Sequence, residues 1–249
     1  VVCIDHPIVQ ELLPRLRKKV VTYGLSRQAD VRAEHIAREG LITRFTVWNG
    51  DAQLGQVELH MPGEHNVLNA LAATATALGL DIPFEQVQAG LSGFSGVDRR
   101  FTVRHQVSVD GAEPVLIVDD YGHHPVEIEA TLSGARAGFP DSRIIAVFQP
   151  HRYSRVRDLF NDFCRCFHEA DHVVVCPIYR AGETPIEGVD HRTLAAGLRS
   201  HGHRRVHRVE DLDQVVSHLA AVVRPGDVVI TLGAGNVNSI CEPLSEALL

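Results

Sequence analysis

The stretch VDDYGHHPVEIEAT, residues 118–131, sets Asp119, Asp120, Tyr121, His123 and His124 within six consecutive positions. Two carboxylates, a phenol and two imidazoles serve three chemistries: a metal cage, a general acid–base pair, or a pocket for mixed polar substrates. The apolar run before them, VLIVD at 115–119, reads as a strand, and the residues after Pro125 read as a helix. The polar group therefore belongs at the C-terminal edge of a strand. A metal cage needs further Asp and His ligands from other strand ends. His60, His105, His168, His172, His201, His203 and His207 are scattered and read as surface positions, which disfavours a cage and leaves no metal ligands assigned.

Two other strand ends carry polar groups, and two further motifs lie at an expected hinge and at a helix start. QPHRYSR (149–155) puts His151, Arg152 and Arg155 between a strand and a helix start. Helix N-termini attract anions, and guanidinium groups add bidentate contacts to carboxylates and phosphates. LGAGNVNSI (232–240) is a glycine-rich turn between strand and helix, without the third glycine of a dinucleotide fingerprint. In GVDRRF (96–101), Arg100 offers a fork to phosphate, and a surface salt bridge accounts for it equally. GEHNVLNA (63–70) spaces Asn66 and Asn69 three apart at a helix start, so both amides project to one side. Such amides suit a purine edge or a ribose; an N-cap beside a solvated Asn explains the same residues.

The elements that position these groups follow from periodicity. Apolar strands recur at 115–119, 144–149, 173–178, 205–209 and 228–232, separated by stretches of helical period. In the segment 155–171, Val156, Leu159, Phe160, Phe163 and Phe167 share one helical face. Apolar strands alternating with helices predict an α/β fold with a Rossmann-like, mostly parallel sheet, whose ligands bind beyond the strands' C-terminal ends. Residues 1–95 differ: VVTYG, RFTVWNG and LGQVELHMPG read as strands, several of them hairpin-like, ahead of an Ala-rich helix. A boundary is expected near 95–101, giving domains 1–95 and 96–249.

With 24 Lys+Arg against 31 Asp+Glu the net charge is −7, which argues against a general nucleic-acid surface. No apolar run reaches membrane-spanning length, and no basic segment precedes an apolar one as in a signal peptide. Five cysteines without a Cys-x-x-Cys pair fit reduced thiols and a cytoplasmic setting. The chain opens directly as a strand, VVCIDHP, and its single methionine is Met61, so it reads as a fragment with sequence upstream.

The ordered set GEHNVLNA, GVDRRF, DDYGHHPVEI, FQPHRYSR, YRAGETPIEG and LGAGN resembles the Mur ligases over essentially the whole chain. The resemblance implies that residues 1–95 are the later part of a P-loop-type ATPase domain and that 96–249 are a complete C-terminal Rossmann-like domain. It implies ATP-driven amide synthesis in peptidoglycan precursor formation. The lactyl carboxylate of UDP-N-acetylmuramate becomes an acyl phosphate, and the amine of L-alanine displaces phosphate. His65, Asn66 and Asn69 would then hold the adenine and nearby nucleotide atoms, Arg100 would contact ATP, and Asp120 would lie on the ribose side. Tyr121, His123, His151, Arg152 and Arg155 would surround alanine and the reacting carboxyl group, with Arg100, Asp120 and His123 closest to the chemistry. The family's P-loop, G-x-x-x-x-G-K-[ST], is absent; Lys18 and Lys19 are the only lysines, and neither follows a glycine-rich loop. Both ATP and Mg2+ are implied as cofactors, with the principal metal ligands expected upstream, and the fragment alone is expected to be inactive. Two alternatives remain: a ligase adding a tripeptide to the same sugar nucleotide, and a noncatalytic nucleotide-binding module.

Overall fold

Ile144–Phe148 and Val228–Leu232 are apolar but for Thr231 and buried at every position, as strands covered on both faces must be. They lie at the centre of the larger of two sheets. The structure, a computed structural model, describes residues 1–108 and 111–249, and its contacts divide the chain into two units, Val1–Gly96 and Val97–Leu249.

The first unit contains β1 (Val2–Cys3), α1 (Pro7–Leu12), β2 (Thr22–Gly24), β3 (Val31–Glu39), β4 (Ile42–Asn49), β5 (Ala52–Leu59), α2 (Glu64–Gly79) and α3 (Phe84–Ser92). Its sheet runs β1-β2-β3-β4-β5, parallel as far as β3 and antiparallel beyond. Burial alternates along β4, with Thr43, Phe45 and Val47 inside. That face packs on Val67, Leu71 and Ala75 of α2 and Phe84 of α3. Burying each large apolar side chain contributes about 1.5–3 kcal/mol. β3 has no counterpart in the sequence-based reading, because its alternation is broken where the pairing register shifts between Glu34 and Ala37. His35 there has φ 55°.

The second unit contains β6 (Thr102–Val107), β7 (Val115–Asp120), α4 (Pro125–Gly138), β8 (Ile144–Phe148), α5 (Tyr153–Asp158), α6 (Phe160–Phe163), β9 (His172–Val175), α7 (His191–Ser200), β10 (Val206–Arg208), α8 (Asp213–Val222), β11 (Val228–Leu232) and α9 (Cys241–Ala247). The strand order is β10-β9-β8-β11-β7-β6, parallel except for the β6–β7 pair. Successive side chains enter opposite layers: Val118 joins Ile128, Leu132, Phe148 and Phe163, while Ile117 joins Val147, Val229 and Leu244. The chain leaves β7 for β8, continues outward to β10, then returns to place β11 between β8 and β7. This reversal opens a crevice at the C-terminal ends of these strands.

Two expectations need correcting. The segment after Arg155 is not one helix: Leu159 adopts φ −115°, ψ 23°, separating α5 from α6. Its apolar face is nevertheless correct, since Val156, Phe163 and Phe167 are all buried. Several histidines read as surface positions are not. His203 is buried with Nε2 2.9 Å from the Ala170 carbonyl, and His172 and His207 are half-buried against His218.

Candidate active site

Asp119 and Asp120 end β7, and their side chains have different tasks. Asp119 is wholly buried: Oδ1 accepts from Thr231 Oγ1 at 2.7 Å, and Oδ2 from Arg99 Nε at 3.0 Å and Arg104 Nη2 at 3.4 Å. Asp120, 4% exposed, accepts from Phe101 N at 2.9 Å and Gly122 N at 2.7 Å. Burial raises its pKa from the ordinary carboxylate value, while these N–H groups and Arg100 pull it down. Both oxygens of Asp120 are thus engaged in shaping the turn that carries Tyr121 and His123.

The two histidines after that turn also separate. His124 is the N-cap of α4, with Nδ1 accepting from Val126 N at 3.4 Å, and Glu127 completes a capping box. Glu127 Oε2 accepts from His123 N at 3.1 Å and His124 N at 3.2 Å. His123 instead presents its ring, with Nδ1 3.0 Å from the Tyr121 carbonyl and 3.5 Å from Glu127 Oε2. Tyr121 is 37% exposed, meets the His123 ring edge-on at 5.3 Å, and has the Arg99 and Arg100 guanidinium carbons 5.0 and 5.8 Å from its ring centre. Arg100 approaches Glu127 Oε1 at 3.7 Å and is otherwise directed outward. Burial opposes the charge on Glu127, but the His123 and His124 N–H groups and the neighbouring His123 and Arg100 hold its pKa below the usual value.

β8 delivers the second half of the cluster. The His151 ring stacks on Tyr179 at 5.5 Å with an 11° interplanar angle, and lies 5.7 Å from the His123 ring. Arg155 Nη1 sits 3.2 Å from His151 Nδ1 and donates to the His151 carbonyl at 3.1 Å. With Arg155 donating, Nδ1 is the acceptor and the ring proton belongs on Nε2. Burial first, then the charges of Arg155, His123 and Arg152, lower the His151 pKa; Glu183 opposes them. Tyr121, His123, His151 and Arg155 thus form a continuous run of neighbouring side chains between the ends of β7 and β8.

The glycine-rich turn after β11 is shaped by close approach. A Cβ on Gly233 would lie 2.7 Å from the Gln149 carbonyl, and one on Gly235 would meet Gln149 Oε1 and reach 2.8 Å from the Tyr179 ring. Gln149 Nε2 donates to Asn236 Oδ1 at 2.9 Å. Beside them opens a cavity of about 530 Å³, lined in part by Gln149, Tyr179, Arg180, Asp211 and Asn236. Tyr179, Gln149, Glu127 and Glu183 had no role in the sequence reading. Their only signal was membership of, or position next to, the motifs quoted above.

In the first unit, Gly63 (φ 99°) lies under the His65 ring, where a Cβ would come 2.5 Å from His65 Cε1. Asn66 is buried and donates from Nδ2 to the Pro62 carbonyl at 2.7 Å; Asn69 Nδ2 is 3.5 Å from Asn66 Oδ1. The amides face each other at the start of α2, and Asn66 ties that helix to the preceding turn. Among the described residues no group of three or more His, Cys, Asp or Glu is arranged to hold a metal ion, and no helix is long and apolar enough to cross a membrane.

The strand ends at this parallel-sheet reversal carry arginines, imidazoles and a phenol, side chains able to hydrogen-bond and neutralise anionic groups. The chain belongs to the Mur ligase family: residues 99–235 match its glutamate ligase domain and residues 1–77 its middle domain. It is 52% identical over 249 residues to a UDP-N-acetylmuramate–L-alanine ligase of Syntrophotalea carbinolica, covering 100% of this chain and 53% of that protein. A Geobacter sulfurreducens protein of the same name is 50% identical over 237 residues, covering 95% and 50%. The chain spans about half the length of the curated relatives it matches. The crystal structure of the Thermotoga maritima UDP-N-acetylmuramate–alanine ligase matches with a TM-score of 0.75 at 27% identity, covering 91% of this chain and 47% of that one. A MurF ligase from Thermotoga maritima, solved with ADP, shares the fold at 19% identity and a TM-score of 0.72, covering 99% and 53%.

Proposed function

We propose that the chain is the middle and C-terminal part of an ATP-dependent ligase that joins L-alanine to UDP-N-acetylmuramate in cytoplasmic peptidoglycan precursor synthesis. The observation that carries this reading is the convergence of Tyr121, His123, His151 and Arg155 from two separate strand ends, His123 and His151 being 5.7 Å apart. Alanine is a zwitterion, so its site needs a cation for the carboxylate and a neutral base near the amine. Arg152 and Arg155 supply the first. His123, whose Nδ1 donates to the Tyr121 carbonyl and leaves the Nε2 lone pair free, supplies the second.

The reaction has two steps. The lactyl carboxylate attacks the γ-phosphorus of ATP, releasing ADP and forming an acyl phosphate. The amine then adds to the acyl carbon, loses a proton, and the tetrahedral intermediate expels phosphate. Since phosphate is a good leaving group, the residues' work is positioning and charge neutralisation. In the second unit, Arg100 is assigned to the phosphates and Tyr121 and His123 to the acyl group and alanine, with Asp120 holding their turn on the ribose side. In the first unit, His65, Asn66 and Asn69 are assigned to the adenine end. Magnesium accompanies ATP in such chemistry, but the described carboxylates and imidazoles do not form a cage for it, and no step is assigned to an ion held by this chain.

One observation favours a second reading: the cavity of about 530 Å³ beyond Tyr179 has room for an acceptor longer than alanine, such as a tripeptide. Phosphate release by the full-length protein with ATP and UDP-N-acetylmuramate, comparing L-alanine with the tripeptide, separates the two. In that protein Arg155→Ala is expected to raise KM for alanine roughly ten- to hundred-fold, matching loss of a charge-assisted contact of about 1.5–3 kcal/mol. KM for ATP should stay nearly constant. An equal rise in both would remove Arg155 from the acceptor pocket.

A further inference from the structure

Arg152 occupies the N-cap position of α5 with φ 71° and ψ 132°, a backbone setting uncommon for a residue with a Cβ. N-caps are normally Ser, Thr, Asp or Asn, because their side chains accept from the first-turn N–H groups. Arginine has no acceptor, and Arg152 makes no side-chain cap bond. The missing partner comes from a distant part of the chain. Glu183 Oε2 accepts from Ser154 N at 3.0 Å, Oε1 accepts from Ser154 Oγ at 2.5 Å, and the Tyr153 N–H also bonds this carboxylate.

The rest of the loop after β9 holds the same segment. Tyr179 N donates to the Pro150 carbonyl at 2.8 Å, Arg152 N donates to the Tyr179 carbonyl at 2.9 Å, and the Tyr179 ring stacks on His151. Ala181 and Gly182, at φ 49° and 85°, carry the chain from Tyr179 round to Glu183. Every residue from Pro150 to Ser154 is therefore bonded or stacked against residues 179–183.

We infer that Glu183 is a positioning residue of the acceptor site, capping α5 from outside so that the cap position itself is free to carry an arginine. The inference rests on the ligase reading for what the site binds, but not for the geometry. Without the Glu183 carboxylate, the Ser154 and Tyr153 N–H groups lose their acceptor, and the left-handed Arg152 is no longer held from both sides. Arg152, Arg155 and His151 then lose their common orientation. Reach of glutamate length is required, since one terminal oxygen must accept from the Ser154 N–H, while the Ser154 hydroxyl can donate to or accept from the other terminal atom.

The test uses Glu183→Ala, Glu183→Gln and Glu183→Asp in the full-length enzyme. Glu183→Ala is expected to raise KM for alanine at least ten-fold with KM for ATP unchanged. Glu183→Gln, which keeps an acceptor at the same reach, should return KM for alanine to within a few-fold of the parent, and Glu183→Asp should not. A second readout needs no turnover: the His151 imidazole titration followed by NMR. Glu183 favours the imidazolium, so both Ala and Gln variants should titrate His151 at lower pH than the parent. Should Glu183→Ala fail to fold, Glu183→Asp carries the KM measurement and Glu183→Gln the titration. An equal change in both KM values, or a His151 midpoint that does not move in either variant, overturns the inference. Absence of alanine-dependent turnover in the unaltered enzyme would instead overturn the ligase reading, leaving the titration to decide on Glu183.

Discussion

Arg99 Nε donates to Asp119 Oδ2 at 3.0 Å, and the same guanidinium donates to the Gly233 carbonyl at 2.7 Å and the Gly235 carbonyl at 3.1 Å. One side chain thereby ties the entry of the second unit to the end of β7 and to the turn after β11. Asp119 is fully buried, so its charge depends on Arg99 and, at 3.4 Å, Arg104. Removing one partner of a buried pair leaves an uncompensated charge and costs about 3–5 kcal/mol. Arg99→Ala should therefore lower the urea midpoint of the chain strongly. Arg100→Ala, whose one ion pair among the described residues is a half-exposed contact at 3.7 Å, should cost at most about 1 kcal/mol. On the proposed assignment of Arg100 to the phosphates, the order reverses for turnover by the full-length protein, with Arg100→Ala lowering kcat/KM roughly ten- to hundred-fold. Comparable destabilisation by the two substitutions would contradict this division of labour.

Two glycines should respond to alanine with opposite sign. At Gly235 a Cβ would collide with Gln149 Oε1 and the Tyr179 ring; Gln149 is buried, and the Tyr179 ring is stacked on His151. Overpacking of this kind costs about 1–3 kcal/mol. At Gly90, within α3, a Cβ would meet nothing within 4 Å, and helical Gly→Ala gains about 0.5–1 kcal/mol. Thermal melts of both variants read this directly; a neutral Gly235→Ala would show that the turn after β11 can shift without cost.

The histidine cluster sets an acid limit on stability. His207 and His218 stack at 3.6 Å with a 3° interplanar angle, and His172 meets His218 edge-on at 5.3 Å. Burial is the first cause lowering all three pKa values, His172 to about 4. The other two rings with Arg143 and Arg205 act on His172, and Arg199 with Arg208 on His207. Each imidazole binds its proton more weakly in the folded chain than in the unfolded one. The stabilising contribution is thus complete above an ordinary imidazole pKa of about 6.5 and declines as pH falls from there towards about 4. Urea midpoints should fall between pH 7 and pH 5, and His172→Gln should flatten that fall. Parallel pH profiles for the two proteins would dismiss the cluster as the cause.

Much of the second unit could be read from its strands. VVITL, at 228–232, is apolar but for Thr231, bounded by turn residues and too short for a helix, and these properties leave a central parallel strand as the consistent solution. Local chemistry could not tell Asp119 from Asp120, His123 from His124, or Arg99 from Arg100. Adjacent residues on a strand end or turn point in different directions, and which direction meets a buried partner depends on chain more than a hundred residues away: Thr231 for Asp119, and Gly233 and Gly235 for Arg99. The same holds for β3, whose bulge hides its alternation, and for the helix break at Leu159, where the apolar period survives while the backbone turns.

By itself the sequence determined the alternation of apolar strands and helical stretches from residue 115 onward, the rim on which the polar motifs would meet, and membership of a family. Each rests on local periodicity or on short motifs, which a linear reading contains in full. Tertiary structure alone decided the register of the parallel sheet, the placing of β11 between β8 and β7, and the capping of α5 by Glu183. Those are non-local pairings, selected by which packing buries both faces of the sheet while giving inward carboxylates such as Asp119 their partners.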